Sequence, residues 1–128
     1  MPASSRLETL LRVHAYKAEL DFEEVRELLD LKNADRRIRS VSFNNEKGMV
    51  FVAFSGDASL TKDEIERWQT GEFRNAADWL RLLPEGRIDE LRKKGLKIDL
   101  FVGAYWGLIP EALLREMNRL SLSLWTSP

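Results

Sequence analysis

Along this 128-residue chain, apolar residues recur with period two in some stretches and with helical period in others, and the order of those stretches predicts the fold. Over residues 7–16, Leu11, Val13 and Ala15 alternate with Arg12, His14 and Tyr16, which is the pattern of a half-buried strand. Asp21, with Glu24 three positions on, opens a helix in a capping-box-like arrangement; its apolar stripe is Phe22, Val25, Leu28 and Leu29. Residues 38–43 and 49–54 are β-rich runs joined by Asn44-Asn45-Glu46-Lys47-Gly48, a hairpin signal. The second run, MVFVAF, is apolar on both faces and predicts a strand inside the sheet.

Thr61 with Glu64 opens a short helix with Ile65 and Trp68 inward and Gly71 as its stop. Asn75 is expected to cap the next helix, with Ala76, Trp79, Leu80 and Leu83 inward and Pro84 closing it. Residues 85–94 form a further helix or turn that presents Ile88 and Leu91 and ends at Gly95. The strand pattern LKIDLFV (96–102), a helix over 110–119 burying Leu113, Leu114 and Met117, and the strand pattern LSLSLW (120–125) complete the chain.

That order, β-α-β-β-α(α)-β-α-β, predicts an α+β fold. The expectation is one two-layer domain over residues 1–128, with a mixed five-stranded sheet and helices mainly on one face. If the last two strands are neighbours, the short helix between them makes them parallel with a right-handed crossover. Residues 1–5 are small and polar and are expected to be flexible.

Twenty basic against twenty-one acidic residues give a net charge of −1, which argues against a dedicated nucleic-acid binder. The chain has no cysteine, so thiol nucleophiles, disulfides and thiolate metal sites are excluded, and His14 is its only histidine. Glu8 and Arg12 interrupt the apolar run a secretory signal needs, and the longest uncharged run, 100–110, is too short to span a bilayer. A cytoplasmic location without membrane contact is the expectation.

The order of a first strand, D-F-E-E-V-R-E-L-L-D-L, a hairpin, and then K-K-G-L-K-I-D-L-F-V-G-A-Y-W-G-L-I-P-E-A-L-L-R-E-M-N-R-L-S-L-S-L-W resembles the bacterial domain-of-unknown-function family 4279. The likeness is carried by residues 25–31, 95–107 and 110–125: an acidic-apolar helix, a strand ending in an aromatic-glycine loop, and a helix leading to a final L-x-L-x-L strand. It implies the same fold and assigns no activity, cofactor or catalytic residue.

Strand alternation sorts candidate functional residues onto faces. With Leu11, Val13, Ile98, Leu100, Val102, Leu120, Leu122 and Leu124 toward the core, the other face carries Arg12, His14, Tyr16, Lys97, Asp99, Phe101, Ser121, Ser123 and Trp125. A mixture of arginine and large aromatics is what protein-binding surfaces look like. His14, Asp99 and Ser121 or Ser123 share the letters of a catalytic triad, but no G-x-S-x-G turn or oxyanion hole accompanies them, so no catalytic residue is expected. The carboxylates Asp21, Glu23 and Glu24, and Asp63, Glu64 and Glu66, lie in first helical turns, where they suit the dipole, and no metal or cofactor is expected. The basic groups Lys32, Arg36, Arg37 and Arg39, and Arg87, Arg92, Lys93, Lys94 and Lys97, read as solvated surface.

Together these features predict a non-enzymatic protein-binding module whose partner is another protein or its own copy. The contact residues would be Arg12, His14, Tyr16, Asp99, Phe101 and Trp125, and by analogy the module suits a toxin-neutralising immunity protein. The alternative is a small-ligand-binding regulatory domain using Tyr105 and Trp106, which follow a strand end where ligands often bind.

Overall fold

The structure, a computed structural model, describes residues 8–15, 20–31, 35–44, 46–56, 59–103 and 108–127. Among them are five strands: β1 (Glu8–Ala15), β2 (Ile38–Asn44), β3 (Met49–Phe54), β4 (Leu96–Gly103) and β5 (Ser123–Ser127). The sheet order is β2-β3-β1-β4-β5, with β4 and β5 parallel and every other pair antiparallel. Five helices join them: α1 (Phe22–Leu28), α2 (Lys62–Trp68), α3 (Gly71–Leu82), α4 (Glu85–Lys93) and α5 (Glu111–Leu120). The α+β class, the mixed five-stranded sheet and the parallel final pair are those the pattern predicts.

The inner face follows from alternation along β1. Leu11 stands opposite Val52 and Leu100, and Val13 opposite Val50 and Ile98, and all of these are buried. They pack in one core with Val25 of α1, Phe73, Ala76 and Leu80 of α3, Ile88 and Leu91 of α4, and Leu113 and Met117 of α5. MVFVAF lies inside the sheet as expected, and Phe54 at its end meets Trp79 with ring centroids 5.7 Å apart. At the hairpin, Gly48 has φ +60°, and an added Cβ there would stand 3.0 Å from the carbonyl oxygen of Ala15. That closeness lets the Ala15 N–H donate to the Gly48 carbonyl at 2.8 Å.

Several helix boundaries differ from the sequence reading. Gly71 does not stop α2: Gln69 does so with φ 62°, and Gly71 opens α3, capped by Thr70, whose hydroxyl accepts from Phe73 N–H. Asn75 is therefore not a cap but an interior residue of α3, and its side-chain amide donates to the Ser55 carbonyl. Ile65 of α2 is exposed, leaving Trp68 as that helix's contribution to the core. On α5 Leu114 faces outward and Leu120 is buried in its place. The final strand begins at Ser123, because Leu120 still belongs to α5 and Ser121 takes a left-handed conformation, φ 54°. Leu122 N–H then bonds Met117 C=O at 2.8 Å and Ser121 N–H bonds Asn118 C=O at 3.1 Å, the two bonds of a Schellman end.

Two arginines fasten the helix layer by donating to helix C-terminal carbonyls, which lack intrahelical partners. Arg92 of α4 reaches the carbonyls of Leu120 and Ser121 at 3.0 and 2.6 Å. Arg119 of α5 reaches those of Leu80 and Leu83 at 2.7 and 3.0 Å.

Phe54 is fully buried between sheet and α3, so Phe54→Ala should lower unfolding free energy by about 3–5 kcal/mol, read from denaturant titration. A loss below about 1 kcal/mol would show that the core beneath α3 is not close-packed.

Candidate functional site on the outer sheet face

Register sets the outer face row by row. Leu10 of β1 stands between Ala53 and Phe101, with Trp125 beyond Phe101; Arg12 stands between Phe51 and Asp99, with Ser123 beyond; His14 stands between Met49 and Lys97. Arg12, His14, Asp99, Phe101 and Trp125 are thus brought to one face, as strand alternation predicts. Tyr16 lies outside the described residues, and Ser121 is off the sheet at the end of α5. Phe51 belongs to this face too. Sequence reasoning misses it because β3 is apolar on both sides, although alternation from Val50 and Val52 does place it outward.

The charges at the centre satisfy one another. Arg12 Nε donates to Asp99 Oδ1 at 2.6 Å, and His14 Nε2 meets Asp99 Oδ2 at 2.9 Å. An ionised carboxylate only accepts, so this contact requires the hydrogen on Nε2. The Arg12 guanidinium carbon sits 4.7 Å from the Phe101 ring centroid, a cation–π contact. Gly103 leaves room for that ring: a Cβ there would come within 3.0 Å of Phe101 Cε1. The side chains of Arg12, His14 and Asp99 are only 18, 13 and 11% exposed, so this is a shielded, paired network and not a solvated charged face. Trp125 at its margin is 58% exposed.

This geometry does not assemble a serine triad. Ser123 flanks Asp99 on the side away from β1, so β4 lies between it and His14, two strand spacings or about 10 Å. Asp99, the group that would orient the imidazole, is shared with Arg12.

The remaining charged sets are mostly engaged within the fold. Asp21 caps α1 by accepting from Glu23 and Glu24 N–H, Glu24 pairs with Lys94 at 3.1 Å, and Glu64 pairs with Arg74. Among the described residues no three His, Asp or Glu side chains converge as metal ligands. Arg37 grips Asp35 through two bonds of 2.8 Å, while Arg36 and Arg39 are exposed and Lys32 lies outside the described residues. That pairing holds the Asp35 carboxyl below its ordinary range and the Arg37 guanidinium above its own. The pair lies at one side of a cleft of about 410 Å³ floored by Leu28, Trp79 and Leu83, with Arg87 at its rim. Nothing in the local sequence pattern marks this cleft, because its walls come from α1, the segment before β2 and the α3–α4 junction. The aromatic loop of Tyr105 and Trp106 lies outside the described residues.

No family model, curated protein or solved structure matches this chain. Among the described residues no helix is long and apolar enough to cross a membrane.

Both ion pairs can be tested through stability. Asp99→Leu should cost about 3 kcal/mol by stranding a shielded Arg12, whereas Arg12→Met with Asp99→Leu should recover most of it. A double-variant loss equal to the sum of the Asp99→Leu and Arg12→Met single losses would show that the two residues are not coupled. For Asp35, the unfolded chain binds more protons than the folded one between the two pKa values, so this stability is present above the ordinary aspartate range and lost as pH falls through the lowered folded value. Melting temperatures of wild type and Asp35→Asn, followed downward from pH 6, should therefore converge below about pH 4. A gap that stays constant down to pH 2 would contradict the assignment.

Proposed function

We propose that this domain is a non-enzymatic protein-binding module whose contact surface is the β4–β5 side of the outer sheet face. The observation that carries this reading is Trp125, 58% exposed beside Phe101, at the margin of a face whose charges already neutralise one another. A half-exposed tryptophan contributes little to the core, yet its large rigid surface is the type that anchors an interface when a partner covers it. Because Arg12, Asp99 and His14 are paired beforehand, a partner closing over them need not desolvate an isolated charge. Phe101 is held by Arg12 on one side and the Gly103 backbone on the other, so little side-chain entropy remains to be lost on binding. Trp125 and Phe101 are therefore the anchors, and Arg12, His14 and Asp99 set electrostatic complementarity, with Tyr16 next in sequence beyond β1.

A toxin-neutralising immunity protein, which works by covering its target, would use a surface of this kind, and that analogy names the class of partner. Cytoplasmic location fits the same reading, since cysteine-free chains need no oxidising compartment.

The test is affinity capture of host proteins with wild type, Trp125→Ala, Phe101→Ala and the distant control Arg115→Ala. Specific partners should fall at least about tenfold with either aromatic substitution and persist with the control. Partners retained equally by all four proteins would remove the proposal.

A further inference from the structure

The opposite margin of the sheet has a separate property. Among the described residues β2 is an edge strand, paired with β3 on one side only, and its residues 39–43 are exposed. Val41 and Phe43 stand opposite the buried Val52 and Val50, so they are on the inner, helix-bearing side. They are nevertheless 37 and 40% exposed, because the helices pack over β3, β1 and β4 and leave most of β2 uncovered. An edge presenting unpaired N–H and C=O groups, with apolar side chains and no proline, is a template for another strand. The single charge on β2 is Arg39, placed at the bulge between Ile38 and Ser40.

We propose that β2 pairs antiparallel with β2 of a second copy of this chain, joining two five-stranded sheets edge to edge. A register centred on Val41 sets Val41 against its own counterpart and Ser40 against Ser42. The same register sets Arg39 against Phe43 of the other copy. Arg39 sits at the bulge and outside the regular pairing, and its long side chain puts the guanidinium within reach of what surrounds Phe43.

What surrounds it is complementary. Phe43 stacks on Phe22 of α1 with centroids 4.9 Å apart; Arg26 already lies 5.8 Å from the Phe22 centroid, which leaves the Phe43 ring as the aromatic surface for a second cation. The cleft beside this pair is bounded by the cap residue Asp21 and by Glu23 and Glu24; Glu24 pairs with Lys94, while Glu23, 3.4 Å from Arg26, keeps a side chain that is 69% exposed. Arg39 of one copy therefore meets both an aromatic face and a carboxylate rim on the other, and the two-fold axis repeats the contact. Such an isologous contact closes on itself and adds no third copy at that edge. The other edge, β5 with sequence SLWTS, has no charged residue to fix a register. This interface is independent of Trp125 on β5, four strands away with β3, β1 and β4 between.

The experiment is light scattering over a concentration series, with circular dichroism confirming that each variant is folded. Wild type should have twice the chain mass, and Val41→Lys, which sets two ammonium groups face to face, should be monomeric. Arg39→Glu and Glu23→Lys should each raise the dissociation constant at least about tenfold, since each creates like-charge contacts at both ends of the interface. Mixing those two variants should restore a dimer. At one end of the mixed pair the two introduced charges, of opposite sign, face each other, and at the other end the unaltered Arg39 meets the unaltered Glu23. Trp125→Ala should leave the mass unchanged, which separates this result from failure of the binding-surface proposal. A wild type that stays monomeric at its highest soluble concentration would overturn the inference. So would a dimer that survives Val41→Lys, or a mixture that associates no better than either variant alone.

Discussion

The antiparallel pairing of β1 with both β3 and β4 is the constraint on which the rest of the molecule depends. Side chains alternate strictly along a strand, so once Leu11 and Val13 face the helices, Arg12 and His14 must face away. A slip by one residue would turn the whole set over and put an arginine and a histidine into the core. Bringing Arg12 to Asp99 also closes a loop spanning 87 positions, an entropic cost with no local contact to offset it. The offset comes from burial of Leu11 and Val13 against Val50, Val52, Ile98 and Leu100, at about 25 cal/mol per Å² of apolar surface removed from water.

Hydrophobic alternation alone does not distinguish a register from one shifted by two residues, because both keep the same residues inward. The outer face supplies that distinction. In one direction a two-residue shift sets Arg12 against Lys97 and Leu10 against Asp99; in the other it sets Arg12 against Phe101 and removes the carboxylate from beside it. The ion pair therefore contributes to register selection as well as to the surface. Gly103 has a related part, since any side chain there would displace the ring that Arg12 lies upon. The order of the outer face and the uniqueness of the sheet thus share a cause.

Much of this was legible in the sequence. Period-two alternation in β1 and β4, a hairpin between two β-rich runs, and a helix between the last strands fix the class and the sharing of one face by Arg12, His14, Asp99, Phe101 and Trp125. What alternation could not supply was that Arg12, His14 and Asp99 would bond to each other, since that needs the pairing of strands some 85 positions apart. The helix errors have local reasons. Thr70 and Gly71 support either a helix end or a helix start, and the end was taken by Gln69 in a conformation glycine usually fills. Asn75 has the chemistry of a cap, but a remote acceptor, Ser55 C=O, holds it inside α3. Ile65 and Leu114 extend apolar stripes beyond the width that the neighbouring elements cover.

That last mismatch also explains where the molecule presents apolar surface. Five strands at about 4.8 Å spacing are roughly 19 Å from first to last, and the helix layer is centred on β3, β1 and β4. The inner face is consequently covered over three strands and thin over β2, where Phe22 stacks on Phe43 and Val41 lies at the margin. On the outer face the paired charges of Arg12, Asp99 and His14 occupy the middle and leave Trp125 at the opposite margin. Folding leaves more than a third of Val41 and Phe43 and more than half of Trp125 in water, so part of the benefit of burying them is unrealised in the single chain. The apolar surface that the single chain leaves uncovered is thus at the two margins of the sheet, where the helix layer on one face and the paired charges on the other do not reach.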